Sequence, residues 1–137
     1  MSAPPGHRNG WRIIVTDDNF AKLSSLTQTL RDAGHCVFAA YDGQSALELV
    51  ALLPNIDLLL THEAPRPFYP AGKRIDAGKT AVNDVLTAMR PRLHLFGHHH
   101  EFTDSQRHGI RSIGLDIVTK SYLLIHAETF RCERLDT

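Results

Sequence analysis

The sequence predicts an α/β protein, a three-layer sandwich with a mainly parallel central sheet and a C-terminal antiparallel hairpin. Three observations predict it. Short apolar, β-branched runs alternate with segments whose apolar residues recur every three or four positions. Over the first sixty residues the connections between these segments are short, which implies right-handed crossovers and parallel pairing. One run, Leu58-Leu-Leu60, is continuously apolar, as expected of a strand covered on both faces.

The elements follow in order. Residues 1–10 are polar and rich in Pro and Gly and read as a flexible tail. Arg12 to Thr16 is a buried strand that stops at Asp17-Asp18-Asn19. Phe20, Leu23, Leu26, Leu30 and Ala33 form one stripe of an amphipathic helix over residues 20–33, closed by Gly34. Cys36 to Ala40 is a second strand and Asp42-Gly43 a turn. Gln44 to Leu53 is helical, with Ala46, Leu47, Val50 and Leu53 on one side, and Pro54-Asn55 ends it. Ile56 to Thr61 is the third strand. Glu63 to Gly78 carries three prolines and two glycines and reads as a surface loop. Asp76 is the expected N-cap of a helix over Ala77 to Met89 with Val82, Val85, Leu86 and Met89 apolar, and Arg90-Pro91 ends it. Leu93 to Phe96 is a fourth strand running into Gly97-His98-His99-His100. Gly109 to Val118 and Tyr122 to Phe130 are two more strands, and the short Thr119-Lys120-Ser121 link predicts that they pair antiparallel at the sheet edge.

The chain has 137 residues, which predicts one domain over residues 11–137 able to bury a core without a disulfide. Fifteen Lys and Arg balance fifteen Asp and Glu, and a neutral chain lacks the positive surplus that nucleic-acid binding requires. No apolar run approaches the roughly 20 residues of a membrane span. The first ten residues lack the apolar core of a secretory signal, so a cytoplasmic location is the expectation. Cys36 and Cys132 are far apart, without a Cys-x-x-Cys spacing, and read as reduced core or strand residues. Nine histidines, three of them consecutive, point at metal chemistry.

In a parallel sheet, ligand chemistry gathers at the carboxyl ends of the strands. Those ends are Asp17-Asp18, Thr61-His62 and Gly97-His98-His99-His100. If the fourth strand continues through the histidines, His98 and His100 share a face and His99 points away. Imidazoles with carboxylates suit Zn²⁺, Mn²⁺ or Fe²⁺ better than Mg²⁺, which the all-oxygen pair Asp17 and Asp18 suits better. Plainer readings stand beside these. Asp17-Asp18 can cap the following helix, His62 can be a hydrogen-bonded strand-end residue, and the triple histidine an exposed loop. His94, alternating with Leu93 and Leu95, reads as a packed or half-exposed strand residue.

Residues 12–61 resemble the first half of a response-regulator receiver domain, a flavodoxin-like start. The resemblance is carried by the strand ending in Asp17-Asp18, the helix ending in Asp32-Ala-Gly-His35, the Ala40-Tyr-Asp-Gly43 turn, the Ser45-Ala-Leu-Glu-Leu49 helix and Ile56-Asp-Leu-Leu-Leu-Thr61. It implies Mg²⁺ at the acidic pair, but the phospho-accepting position after the third strand is His62. Residues 60–136 resemble instead the C-terminal half of a calcineurin-like metallophosphoesterase, in Leu60-Thr-His-Glu-Ala-Pro65 and in Leu93-His-Leu-Phe-Gly-His-His-His100. That resemblance implies a metal centre ligated by His62, His98 and His100. The family's early Asp-x-His, Gly-Asp and Gly-Asn-His motifs have no counterpart, although Asp17 sits comparably to the first metal-binding aspartate. The two resemblances meet at Thr61-His62.

The leading expectation is a metal-binding protein of metallophosphoesterase type. In it His62, His98 and His100, with Asp17 or Asp18, hold an ion that activates water against a phosphoester. Its partner would be a phosphorylated small molecule or protein, not nucleic acid or membrane. One alternative is a receiver-like signalling module without the acceptor aspartate, pairing with itself or another protein. The other is a chimera of two halves with no evolved activity.

Overall fold

The fold is described from a computed structural model covering residues 10–137, so the tail expected over residues 1–10 lies, up to residue 9, outside the described residues. In chain order the elements are β1 (Arg12–Thr16), α1 (Phe20–Asp32), β2 (Cys36–Ala40), α2 (Gly43–Val50), β3 (Leu58–Thr61), α3 (Thr80–Met89), β4 (Leu93–Phe96), β5 (Thr103–Arg107), β6 (Ile110–Gly114), β7 (Ser121–Ile125) and β8 (Cys132–Asp136). The main sheet runs β2-β1-β3-β4-β6-β5, and β7 with β8 forms a separate two-stranded sheet. All neighbours in the main sheet are parallel except β5 and β6. With β6 counted as the fifth strand, the parallel order is the flavodoxin-like 2-1-3-4-5.

Alternation along β1 sends Ile13 and Val15 to one face and Ile14 to the other. On the first face they pack with Leu23 of α1, Val37, Leu58, Leu93, Ile113 and Phe130, backed by Leu123, Ile125 and Cys132 of the hairpin. On the second, Ile14 and Leu59 pack with Ala46 of α2 and Val82, Val85 and Leu86 of α3. The layers are therefore α1 plus the β7–β8 hairpin, the sheet, and α2 plus α3. The Asn19 side chain caps α1 by accepting from Lys22 N at 3.0 Å, and Gly34, at φ 97°, turns the chain out of it. Asp42 caps α2 by accepting from Ser45 N at 2.8 Å, a bond that lowers the pKa of its carboxyl. Both cysteines are free, and they lie in β2 and β8.

Three elements differ from the sequence reading. Asp76 does not cap α3, which begins at Thr80 behind Lys79 with no side-chain cap bond. The Asp76 carboxylate instead accepts from Phe68 N and Gly78 N, both at 2.8 Å, and pins the long loop onto itself. Second, Gly109–Val118 and Tyr122–Phe130 do not pair. Ile110, Ser112, Ile113 and Gly114 are buried, so β6 belongs inside the sheet, between β4 and β5. At Gly114 a Cβ would come within 2.6 Å of Thr103 Oγ1 and 2.8 Å of the Phe96 ring, so this crossing requires glycine. The antiparallel hairpin at the C-terminus is instead β7–β8, with Ser121 opposite Asp136 and Ile125 opposite Cys132, and it lies across a face of the sheet rather than on its edge. Third, the all-polar Thr103–Arg107 segment is the edge strand β5. It joins β6 through His108-Gly109, at φ 53° and 79°, where positive φ at both positions suits the twist of a two-residue hairpin.

The hairpin is sealed to the amino ends of β1 and β4. Phe130 stacks on Trp11 at 4.6 Å, Trp11 Nε1 donates to Ala127 O at 3.0 Å, and the Arg92 guanidinium lies 4.0 Å from the Phe130 ring centre. No helix among the described residues is long and apolar enough to cross a membrane.

Candidate metal centre

The registers of β1, β3 and β4 align Thr16 with Thr61 and Thr61 with Phe96. The residues that follow these strands therefore emerge side by side on one rim of the sheet. The chain leaves β1 for α1 on one face and β3 for α3 on the other, which opens a crevice between the two strand ends. A cleft of about 350 Å³ there is lined by Asp17, Asp18, Tyr41, Asp42, His62, Glu63 and Lys79. A second groove, of about 580 Å³ on the α1 side, also reaches His62.

His62 stands at the centre of the rim. Its Nε2 lies 2.7 Å from Nδ1 of His98, with the two rings edge to face at 4.7 Å. Its other nitrogen, Nδ1, is 3.9 Å from Asp17 Oδ2. The Glu63 carboxylate completes the group: His62, Glu63 and His98 each offer one ligand atom, all within 4.8 Å of one another. This group could hold a metal ion. Tetrahedral ligands about 2.05 Å from an ion stand about 3.4 Å apart, so the two imidazole nitrogens need to separate by only about 0.7 Å to admit one. Asp17 lies on the Nδ1 side of the His62 ring at ion-pair distance, beyond hydrogen-bond reach. Asp17 is held there by accepting from Asn19 N at 2.9 Å through its other oxygen.

The remaining expected residues fall elsewhere. Asp18 is exposed on the cleft rim and outside the cluster. β4 ends at Phe96, and His98 and His100 both have positive φ, 74° and 54°. The strand therefore does not continue through the histidines, and the alternation expected of them is not realised. His100 is exposed and, among the described residues, lies outside the three-residue group. His99 turns back against Phe68 at 4.8 Å, where burial and then the charge of His98 lower its pKa. Glu63 is the residue that sequence reasoning missed. Its signal was its place directly after His62 at a strand end.

His94 is wholly buried, the packed one of its two expected readings. Its Nε2 is 2.8 Å from Thr61 Oγ1 and its Nδ1 2.7 Å from Ser112 Oγ. Burial, helped by the charge of Arg107, pushes its pKa down to about 3 and keeps the ring neutral.

No protein-family model matches the sequence, and no curated protein matches it significantly.

Proposed function

We propose that the chain binds one transition-metal ion through His62, Glu63 and His98 and uses it to hydrolyse a phosphoester in the cleft between the ends of β1 and β3. The observation that carries the reading is the convergence of His62 Nε2 and His98 Nδ1, 2.7 Å apart, beside the Glu63 carboxylate. Two nitrogens and one oxygen suit Zn²⁺, Mn²⁺ or Fe²⁺ better than Mg²⁺. Three protein donors leave a coordination position for water, and an ion so held lowers the pKa of that water and polarises a phosphoryl oxygen. The phosphoester itself rests on the resemblance of Thr61-His62 and Gly97-His98 to metallophosphoesterase motifs. Lys79 supplies positive charge on a wall that also carries Asp17, Asp18, Asp42 and Glu63. Three donors suit a single ion, not a two-metal clamp.

Calorimetric titration with Zn²⁺ or Mn²⁺ should show one site, lost when His62→Ala and His98→Ala are combined. Unchanged binding by the double variant refutes the site. Hydrolysis of p-nitrophenyl phosphate should require the metal and stop with a chelator. Metal binding without such turnover overturns the hydrolytic part.

The order of the parallel strands, with Asp17 at the end of β1, favours a second reading: a receiver-like module that pairs with a protein or with itself. Concentration-dependent self-association in sedimentation velocity that a chelator leaves unchanged, with no phosphoesterase activity, would support it over hydrolysis.

A further inference from the structure

We infer that Thr61 and His94 are positioning residues of the His62–Glu63–His98 centre, an inference that rests on the metal reading. The Thr61 hydroxyl has one proton, and the Glu63 carbonyl, 2.7 Å away, can only accept it. The bond spans His62, so Thr61 closes the turn from which both His62 and Glu63 project. With its proton committed, Thr61 Oγ1 can meet His94 Nε2, at 2.8 Å, only as an acceptor. His94 is then the Nε2–H tautomer, and its Nδ1 accepts from the Ser112 hydroxyl at 2.7 Å.

The result is a directional chain across three strands: Ser112 of β6 donates to His94 of β4, His94 to Thr61 of β3, and Thr61 to the backbone of Glu63. The backbone ladders already join these strands, so the chain is not needed for pairing, and placing three polar side chains inside the sheet carries a desolvation cost. What the ladders do not fix is the turn after Thr61. Thr61 is β-branched and stiff at χ1, and its rotamer is set from behind by the buried, fully hydrogen-bonded imidazole. Sequence-distant His94 and Ser112 thereby determine where the two ligands after β3 point.

The test compares Thr61→Val, which removes the hydroxyl at constant shape, with Thr61→Ser, which keeps it, using Co²⁺ as the probe. The visible spectrum of bound Co²⁺ reports its ligand geometry. Thr61→Val should bind Co²⁺ about 10- to 100-fold more weakly and with an altered spectrum, while Thr61→Ser retains both. If Thr61→Val lowers only the melting temperature and leaves affinity and spectrum unchanged, the hydroxyl is structural and the inference is overturned. Should the unaltered protein bind no Co²⁺, the metal reading fails. The positioning claim is then read from the ¹⁵N–¹H signals of the His62 and His98 rings in metal-free protein. They should move in Thr61→Val and stay in Thr61→Ser, and signals that stay in both overturn the claim. Should Thr61→Val not fold, Ser112→Ala, which strips the donor from His94 Nδ1, is measured by the same readouts with the same two outcomes.

Discussion

Lowering the pH from 8 to 5 should cost the fold about 2 kcal/mol through His94 alone. In the folded chain its pKa is about 3, against an ordinary 6.5, so between those values the unfolded chain binds the extra proton. The stabilisation is therefore fully present above pH 6.5 and is lost as the pH falls toward 3. Between those values each pH unit well below 6.5 removes about 1.4 kcal/mol, which amounts to about 2 at pH 5 and about 4 at pH 3, where the folded chain itself begins to take up the proton. The side chain has no exposure, so solvent does not screen the effect. Against a typical folding stability of about 5–15 kcal/mol, this is a large share. The assay is urea unfolding at both pH values for the unaltered protein and for His94→Gln, which keeps an amide donor and acceptor but does not titrate. With a urea slope of about 1–3 kcal/mol per molar, the midpoint of the unaltered protein should fall by about 1 M more than that of the variant. The double difference cancels the other histidines. Equal pH losses in the two proteins would refute a neutral, buried His94.

Two further outcomes follow from the packing. Phe130→Ala should remove about 3–5 kcal/mol from urea stability and shift Trp11 fluorescence to the red, because the ring stacked on the indole is gone. An unmoved Trp11 emission would show that the stacking does not exist in solution. Asn19→Ala should lower stability by about 1 kcal/mol in a thermal or urea melt, and Asn19→Gly by only a few tenths, since the loss is that of the cap on Lys22 N.

Much of this arrangement is legible in the letters, because burial on one or both faces writes itself as apolar spacing. Leu23 and Leu30 mark the inner side of α1, and Leu58-Leu-Leu60 marks a strand with helices on one side and other cover on the other. Thr103-Asp-Ser-Gln-Arg107 has no apolar residue, and what makes it a strand is its ladder to β6, which no pattern within the segment records. The pairing of the hairpin is hidden for a related reason. Ile110 to Gly114 and Ser121 to Ile125 both read as strands, but only the sheet decides that the first is interior and the second needs β8.

At the site, His62 and His98 were legible from strand-end placement, which survives small errors in strand length. The shared face expected of His98 and His100 required β4 to persist beyond Phe96, where it ends. Thr61, His94 and Ser112 looked like polar interruptions in apolar strands. Their meaning lies in distances across three strands, and sequence separation hides those.

The β7–β8 hairpin adds no strand to the main sheet, yet it lies over the face formed by Ile13, Val15, Leu93 and Ile113. During synthesis this sets an order of events. β1 can pair with β2 and β3 before the hairpin is made, but part of the sheet has no cover on that side until residues 121–136 have left the ribosome. Until then a growing chain would carry an open apolar surface, the condition under which nascent proteins engage chaperones or stick to one another. The docking of Phe130 onto Trp11 is what ends that exposure.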